Sequence, residues 1–82
     1  MKTTEYFKHT RMRSDRKDIL DTWIEFVIAH AEHTEVQKDG RLKKWAKISE
    51  VDKYLRVILL EDRVTVHNAF FDRRYKGINH ES

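Results

Sequence analysis

The stretch "DRKDILDTWIEFVIAHAE", residues 15–32, predicts the one long helix of this sequence. Its apolar residues repeat at about 100° per residue and fall on one side of a helix, while its acidic residues cluster on the opposite side. The apolar side is formed by Ile19, Leu20, Trp23, Ile24, Phe26, Val27 and Ala31. Ser14 or Asp15 can cap the N-terminus, and Asp18 and Asp21 lie near the positive end of the helix dipole. We therefore expect an amphipathic helix from about Asp15 to about Glu32.

After His33 the apolar period changes to two residues, which indicates β-strands. Four β-rich segments cover about residues 34–37, 41–48, 53–60 and 64–71, and "KDG", "SEVD" and "EDR" between them are typical of hairpin turns. Sequential strands with tight turns form an antiparallel meander, and one helix is enough to cover one of its faces. The sequence thus predicts an α+β fold with an N-terminal amphipathic helix packed on a four-stranded antiparallel meander.

Length and composition restrict the classes of protein that fit. The 82 residues predict a single domain, 1–82, in which residues 1–10 form either an edge strand or a flexible basic arm and 78–82 a flexible tail. The absence of cysteine excludes disulfides and thiolate chemistry, and two glycines leave no glycine-rich phosphate loop, so no cofactor is expected. No long apolar run or signal peptide is present, so we expect a cytoplasmic protein without a membrane partner. The sequence indicates no oligomeric state.

The strand register decides which residues share a face. If Asp62 and Arg63 form a two-residue turn, the helix covers Leu55, Val57, Leu59, Val64, Val66, Asn68 and Phe70. The other, open face then receives Tyr54, Arg56, Ile58, Thr65, His67, Ala69 and Phe71. The "SEVD" turn can place Trp45 opposite Arg56, with Lys43 and Lys47 beside it. A slip of one residue at either turn exchanges half of these positions.

The open face combines aromatic rings with positive charge. Residues 41–60 carry six Lys or Arg against two acids, while residues 18–32 carry four acids and no Lys or Arg. Trp45, Tyr54 and Phe71 can stack on the bases of single-stranded RNA, and Lys43, Lys47 and Arg56 can neutralise its phosphates. The alternative is a sheet face with ordinary cross-strand pairs, including a cation–π contact of Arg56 on Trp45.

His67 is the one histidine predicted in the middle of a strand. It can exchange protons during RNA cleavage, with Arg56 or Arg73 stabilising the charge that develops on phosphorus, or it can be a hydrogen-bonded structural residue. In "DRRYK", residues 72–76, Arg73, Arg74 and Tyr75 can contact phosphate or stack on bases, or simply form a solubilising tail.

Two further groups carry weaker predictions. Arg11 and Arg13 in "KHTRMRSDR", residues 8–16, can bind phosphates or an acidic partner peptide. His30 and His33 are three residues apart, but no third ligand accompanies them, so no metal site is expected.

Residues 8–76 together resemble a known family. The basic "HTRMR", the helix "DILDTWIEFVIAH", the strands around "KKWAKI" and "KYLRVILLED", and "TVHNAFFDRR" resemble small bacterial and cyanobacterial proteins of the BrnT-like branch of the RelE/ParE toxin superfamily. Many relatives have two N-terminal helices, where one is evident in this sequence.

The resemblance implies the toxin of a type II toxin–antitoxin system, an endoribonuclease that cleaves mRNA, often on the ribosome, and is inhibited by a cognate antitoxin. It implies Lys43, Lys47 and Arg56 as sheet cations and Arg73 and Tyr75 as a C-terminal functional pair, while His67 has no assured counterpart. The superfamily also contains gyrase inhibitors, so a non-catalytic binding module, either a gyrase-directed toxin or a protein-interaction adaptor, is the alternative, and enzymatic activity stays open.

Overall fold

A computed structural model describes residues 1–76, in which two helices precede a four-stranded antiparallel sheet of order β1-β2-β3-β4. The helices are α1 (Glu5–Thr10) and α2 (Asp21–His30), and the strands are β1 (His33–Val36), β2 (Leu42–Ile48), β3 (Lys53–Leu59) and β4 (Val66–Phe71). The predicted α+β fold with a helix on an antiparallel meander is confirmed, and all four strands lie where the two-residue period predicts them. The predicted tail, 78–82, lies outside the described residues.

Helix α2 begins six residues later than predicted, so the predicted start at Asp15 and its cap are wrong. Its N-cap is Leu20, which makes no side-chain capping hydrogen bond. The preceding segment is instead held by Arg11, which donates to the Ile19 carbonyl and to the carboxylate of Asp21, while Ile19 is buried in the core. This tertiary contact sets where the helix starts, and local sequence does not report it.

The N-terminal segment is neither a complete edge strand nor a flexible arm. Thr3 forms a single parallel bridge with Val66 at the edge of β4, and α1 follows directly. The Thr4 hydroxyl caps α1 by accepting from the Phe7 amide, and Phe7, which is 1% exposed, inserts into the core. A second helix therefore exists that the sequence pattern did not reveal, because one buried phenylalanine, rather than an amphipathic period, attaches it.

The loop between β3 and β4 is longer than the two-residue turn predicted at Asp62 and Arg63. The Leu60 amide donates to the Thr65 carbonyl, and the Asp62 carboxylate accepts from the amides of Val64 and Thr65 and from the Thr65 hydroxyl. These hydrogen bonds stabilise the carboxylate and lower the pKa of Asp62 to about 2. Val64 is consequently exposed and does not contact the helix.

A β-bulge between Ile58 and Leu59 shifts the register of β4, so the predicted faces of this strand are partly exchanged. Phe71 and Ala69 pair with Leu55 and Val57 on the side that α2 covers. Asn68 and Phe70, predicted to contact the helix, lie on the open face opposite Ile58 and Arg56. A bulge adds one residue to one strand and thereby reverses the side-chain alternation beyond it.

The core lies between α2 and the sheet. Ile24 and Val27 of α2 are fully buried against strand residues, and Phe7 and Ile19 close its edge. The strand residues are Leu42, Ala46, Ile48, Leu55, Val57, Leu59, Val66 and Ala69. Trp23, predicted on the apolar side of the helix, is only partly buried and meets the Phe71 ring edge-on with 6.1 Å between ring centroids. The open face is the side of the sheet opposite α2.

Candidate functional site

One row of side chains crosses all four strands on the open face. His33, Trp45, Arg56 and Phe70 are direct cross-strand partners in β1 to β4. The guanidinium carbon of Arg56 lies 5.3 Å from the Trp45 ring centroid and 4.9 Å from that of Phe70. The predicted pairing of Trp45 with Arg56 is confirmed, and the guanidinium is held between two aromatic rings.

Asp72 neutralises this row. Its Oδ2 accepts from Trp45 Nε1 at 2.9 Å, from Arg56 Nη2 at 2.8 Å and from Arg56 Nε at 3.1 Å. Burial of Asp72 acts to raise the pKa of its carboxyl, but the hydrogen bonds from Trp45 and Arg56 outweigh burial and leave the pKa below its ordinary value. Arg56, a predicted catalytic cation, is therefore paired inside the protein and has little free charge to offer a ligand.

Tyr75 covers the aromatic end of the row. Its ring stacks on Trp45 with 5.0 Å between centroids and meets Tyr54 edge-on at 4.9 Å. Trp45 is consequently only 4% exposed. Burial, followed by the negative charge of Glu32, raises the pKa of Tyr75. The phenol is therefore neutral at pH 7, and its buried hydroxyl has no hydrogen-bond partner among the described residues.

His33 is a site residue that the sequence reasoning missed. It was paired with His30 as a weak metal motif, yet α2 ends at His30 and His33 begins β1. Its ring lies 5.4 Å from the Trp45 ring and 6.1 Å from the Tyr75 ring, and its Nε2 is 3.0 Å from Glu35 Oε2. The signal that reveals it is the β1–β2 register, which places His33 opposite Trp45.

Two clefts open where β4 ends. The tyrosine cleft, of about 260 Å³, is lined by Asp52, Lys53, Tyr54, Phe71, Asp72, Arg73 and Tyr75. The arginine cleft, of about 340 Å³, is lined by Asp15, Arg16, Lys53, Phe70, Phe71 and Arg73. Because three lining residues are shared, the clefts adjoin. The structure thus brings together Arg73, Tyr75 and Tyr54, three of the predicted site residues.

His67 lies apart from this group. Its Nδ1 is 3.1 Å from the Thr4 hydroxyl, and its ring stacks on Tyr6 with 4.8 Å between centroids. Burial, followed by the positive charge of Arg41, lowers the pKa of His67 and favours the neutral ring. Six residues of mostly extended chain separate it from Arg73, roughly 15–20 Å. The structure therefore does not bring His67 together with Arg73, one of the two cations expected to act beside it in RNA cleavage, because β4 runs between them.

The other predicted cations are dispersed. Lys47 lies on the open face beside Tyr54, but its ammonium is 2.8 Å from Asp52, whose hydrogen bond raises the pKa of Lys47. Lys43 lies on the same face, opposite Ile58 and Glu35.

Three further predicted cations, Arg11, Arg13 and Arg74, also lie outside both clefts. Arg11 pairs with Asp21, and Arg13 Nε is 3.7 Å from Asp15. Arg74 is exposed and donates its backbone amide to Asp72. The arginines of the "HTRMR" cluster thus form internal ion pairs, which weakens the prediction that they bind RNA.

Comparisons with known proteins leave the site to be interpreted from its own chemistry. No protein-family model matches the chain, and neither a curated protein nor a solved structure matches it significantly. Within residues 1–76, no three His, Asp or Glu side chains are grouped as metal ligands. In the same part of the chain, no helix has the length and apolar character needed to cross a membrane.

Proposed function

We propose that this protein is the toxin of a type II toxin–antitoxin system and acts as an mRNA-cleaving endoribonuclease that binds RNA in the tyrosine cleft. The observation that carries the proposal is that Arg73 and Tyr75, the C-terminal pair implied by the resemblance, line one cleft with Tyr54 and Lys53. Two N-terminal helices before a four-stranded antiparallel sheet also suit a fold of RelE/ParE type.

The cleft has the chemistry that single-stranded RNA requires. The rings of Tyr54 and Tyr75 offer stacking surfaces for bases, and Arg73 and Lys53 offer charge for phosphates. In the part of the chain that the structure describes, no carboxylate forms an ion pair with Arg73 or Lys53. These two cations, in contrast to Arg56, retain their charge for a ligand.

Cleavage in this proposal follows the usual transesterification of RNA. The 2′-hydroxyl oxygen attacks the adjacent phosphorus, the bond to the 5′-oxygen breaks, and a 2′,3′-cyclic phosphate and a 5′-hydroxyl form. A base accepts the 2′-hydroxyl proton, an acid supplies a proton to the 5′-oxygen, and Arg73 stabilises the charge on phosphorus. The imidazole beside Tyr75 belongs to His33, so we assign acceptance of the 2′-hydroxyl proton to His33, oriented by Glu35, and a water molecule supplies the proton to the 5′-oxygen.

A ribonuclease assay on matched variants tests this function. Arg73→Gln and His33→Ala are each expected to reduce cleavage of a single-stranded RNA about 10²-fold or more, since each removes a group that acts in the transition state. Lys38→Gln, which removes an exposed charge from the β1–β2 turn, is the control and should keep full activity. Circular dichroism melts establish that the variants are folded, and full activity in both site variants would falsify the assignment.

The second candidate is a non-catalytic binding module with the same fold. It is favoured by the neutralisation of Arg56 by Asp72 and by the docking of His67 on Thr4 and Tyr6, which remove two predicted catalytic groups. Binding of RNA or of a protein partner without cleavage, even at high protein concentration, supports this candidate. If the protein is a toxin of either kind, we propose that its antitoxin presents an acidic segment to the clefts, in a complex that salt weakens.

A further inference from the structure

The arginine cleft contains Arg16, whose side chain is largely buried and has one N–H donor without an acceptor among residues 1–76. The Arg16 side chain is only 15% exposed, and its guanidinium carbon lies 5.1 Å from the centroid of the Phe70 ring. Its Nη1 donates to Asn68 Oδ1 at 3.0 Å, which fixes the guanidinium plane. Its Nε is buried without a hydrogen-bond partner among the described residues. Buried polar groups are normally paired, so this donor calls for an acceptor.

The charges around this donor favour an anion. Lys53 and Arg73 line the cleft with Arg16, and among residues 1–76 Asp15 is the one carboxylate in the lining. Asp15 Oδ2 lies 3.9 Å from Arg16 Nε, too far for a hydrogen bond, and the same carboxylate is shared with Arg13. The lining therefore has three cations against one partly engaged carboxylate.

We propose that the arginine cleft is a phosphate-binding subsite, which receives a phosphate of single-stranded RNA adjacent to the nucleotide held in the tyrosine cleft. The identity of the ligand as RNA rests on the proposed function, whereas phosphate binding itself does not. A phosphate oxygen accepts a hydrogen bond from the Arg16 guanidinium, and the flexible ends of Lys53 and Arg73 reach the remaining oxygens.

The geometry favours a nucleic-acid phosphate over an acidic peptide. The rings of Phe70 and Phe71 flank the cations, which suits a strand that alternates bases with phosphates. Lys53, Phe71 and Arg73 also line the tyrosine cleft, so a strand leaving that cleft passes directly into this one. A glutamate-rich segment has no aromatic ring to stack on these side chains.

Titration with inorganic phosphate tests the subsite. The Nε–H resonance of Arg16 in ¹⁵N spectra is expected to shift saturably with phosphate at constant ionic strength. Lys53→Gln should weaken phosphate binding, and Asp15→Asn should strengthen it, each about two- to fivefold, as for an exposed charge pair. Lys17→Gln, an exposed neighbour outside the cleft, is the control and should change nothing. Arg16 itself is left intact because it packs on Phe70.

A second measurement separates the ligands. Binding of a single-stranded hexauridylate should depend on salt, and Lys53→Gln should lower the slope of log affinity against log salt concentration by about 0.7, the value for one phosphate contact on a single strand. Hexaglutamate should bind more weakly at equal ionic strength. Any one of three results would overturn the subsite. These are the absence of a saturable Arg16 shift with phosphate, tighter binding of hexaglutamate than of hexauridylate, and equal effects of Lys53→Gln and Lys17→Gln. If the Arg16 resonance shifts with phosphate but the protein cleaves no RNA, the phosphate-binding subsite stands and only the proposed nuclease activity is refuted.

Discussion

Removal of the Asp72 charge should destabilise the protein, because Asp72 is the counter-charge of Arg56 on the open face. In Asp72→Asn, the two hydrogen bonds from Arg56 lose their anionic acceptor, and the guanidinium stays between Trp45 and Phe70 without a counter-charge. A hydrogen bond to a charged group contributes about 1.5–3 kcal/mol, and breaking a fully buried ion pair costs about 3–5 kcal/mol. Because the Arg56 side chain is 25% exposed, water compensates part of the loss. We expect a loss of about 2–3 kcal/mol.

Thermal and chemical denaturation at pH 7 measure this loss. For a domain of this size the expected fall in Tm is about 10–20 °C. Arg56→Met removes the cation but keeps its apolar contacts, so the double variant should be more stable than the sum of the single losses predicts, with a coupling of about 1–3 kcal/mol. A loss below about 0.5 kcal/mol in Asp72→Asn, or additive effects in the double variant, would contradict the role of Asp72 as counter-charge.

The pH dependence of stability provides an independent check on Asp72. The folded pKa of Asp72 is lowered, so its contribution is fully present above the unfolded pKa of about 3.9 and is lost as pH falls through the folded value. Below about pH 4, wild-type Tm should therefore fall more steeply than that of Asp72→Asn. Parallel curves for the two proteins would show that the carboxylate is not stabilised in the folded state.

The remaining predictions concern the core and one loop. Ile24→Ala should lower the free energy of unfolding by about 2–5 kcal/mol because Ile24 is fully buried, whereas Phe26→Ala, at a 45% exposed position, should lower it much less. Equal Tm values for the two variants would show that Ile24 does not lie on the side of α2 that faces the sheet. Asp62, with a pKa of about 2, should stabilise the protein above about pH 4 and lose that contribution between about pH 4 and 2. Asp62→Ala should lack this acid transition when stability is followed by circular dichroism. If the transition persists in Asp62→Ala, another group is responsible for it.

The strands and the fold class follow from the sequence alone because local physics determines them. The two-residue period of "KYLRVIL" and the turn residues around it define a strand without knowledge of its neighbours. The short "SEVD" turn made the pairing of Trp45 with Arg56 one of a few possible registers, and the structure has this register. Arg73 and Tyr75 were named as a pair through the family resemblance and not through a local pattern.

Tertiary structure decided which residues form the site, because a single irregularity such as a β-bulge changes the face on which several side chains lie. The bulge at Ile58 and Leu59 places Phe70 on the open face, where its ring contacts the Arg56 guanidinium. The local sequence pattern does not predict this bulge. The counter-charge of Asp72 and the position of His33 depend on contacts between segments far apart in the chain. Burial and pairing decide whether a cation remains free for a ligand, so Arg56 is neutralised by Asp72, whereas we propose ligand-binding roles for Lys53 and Arg16.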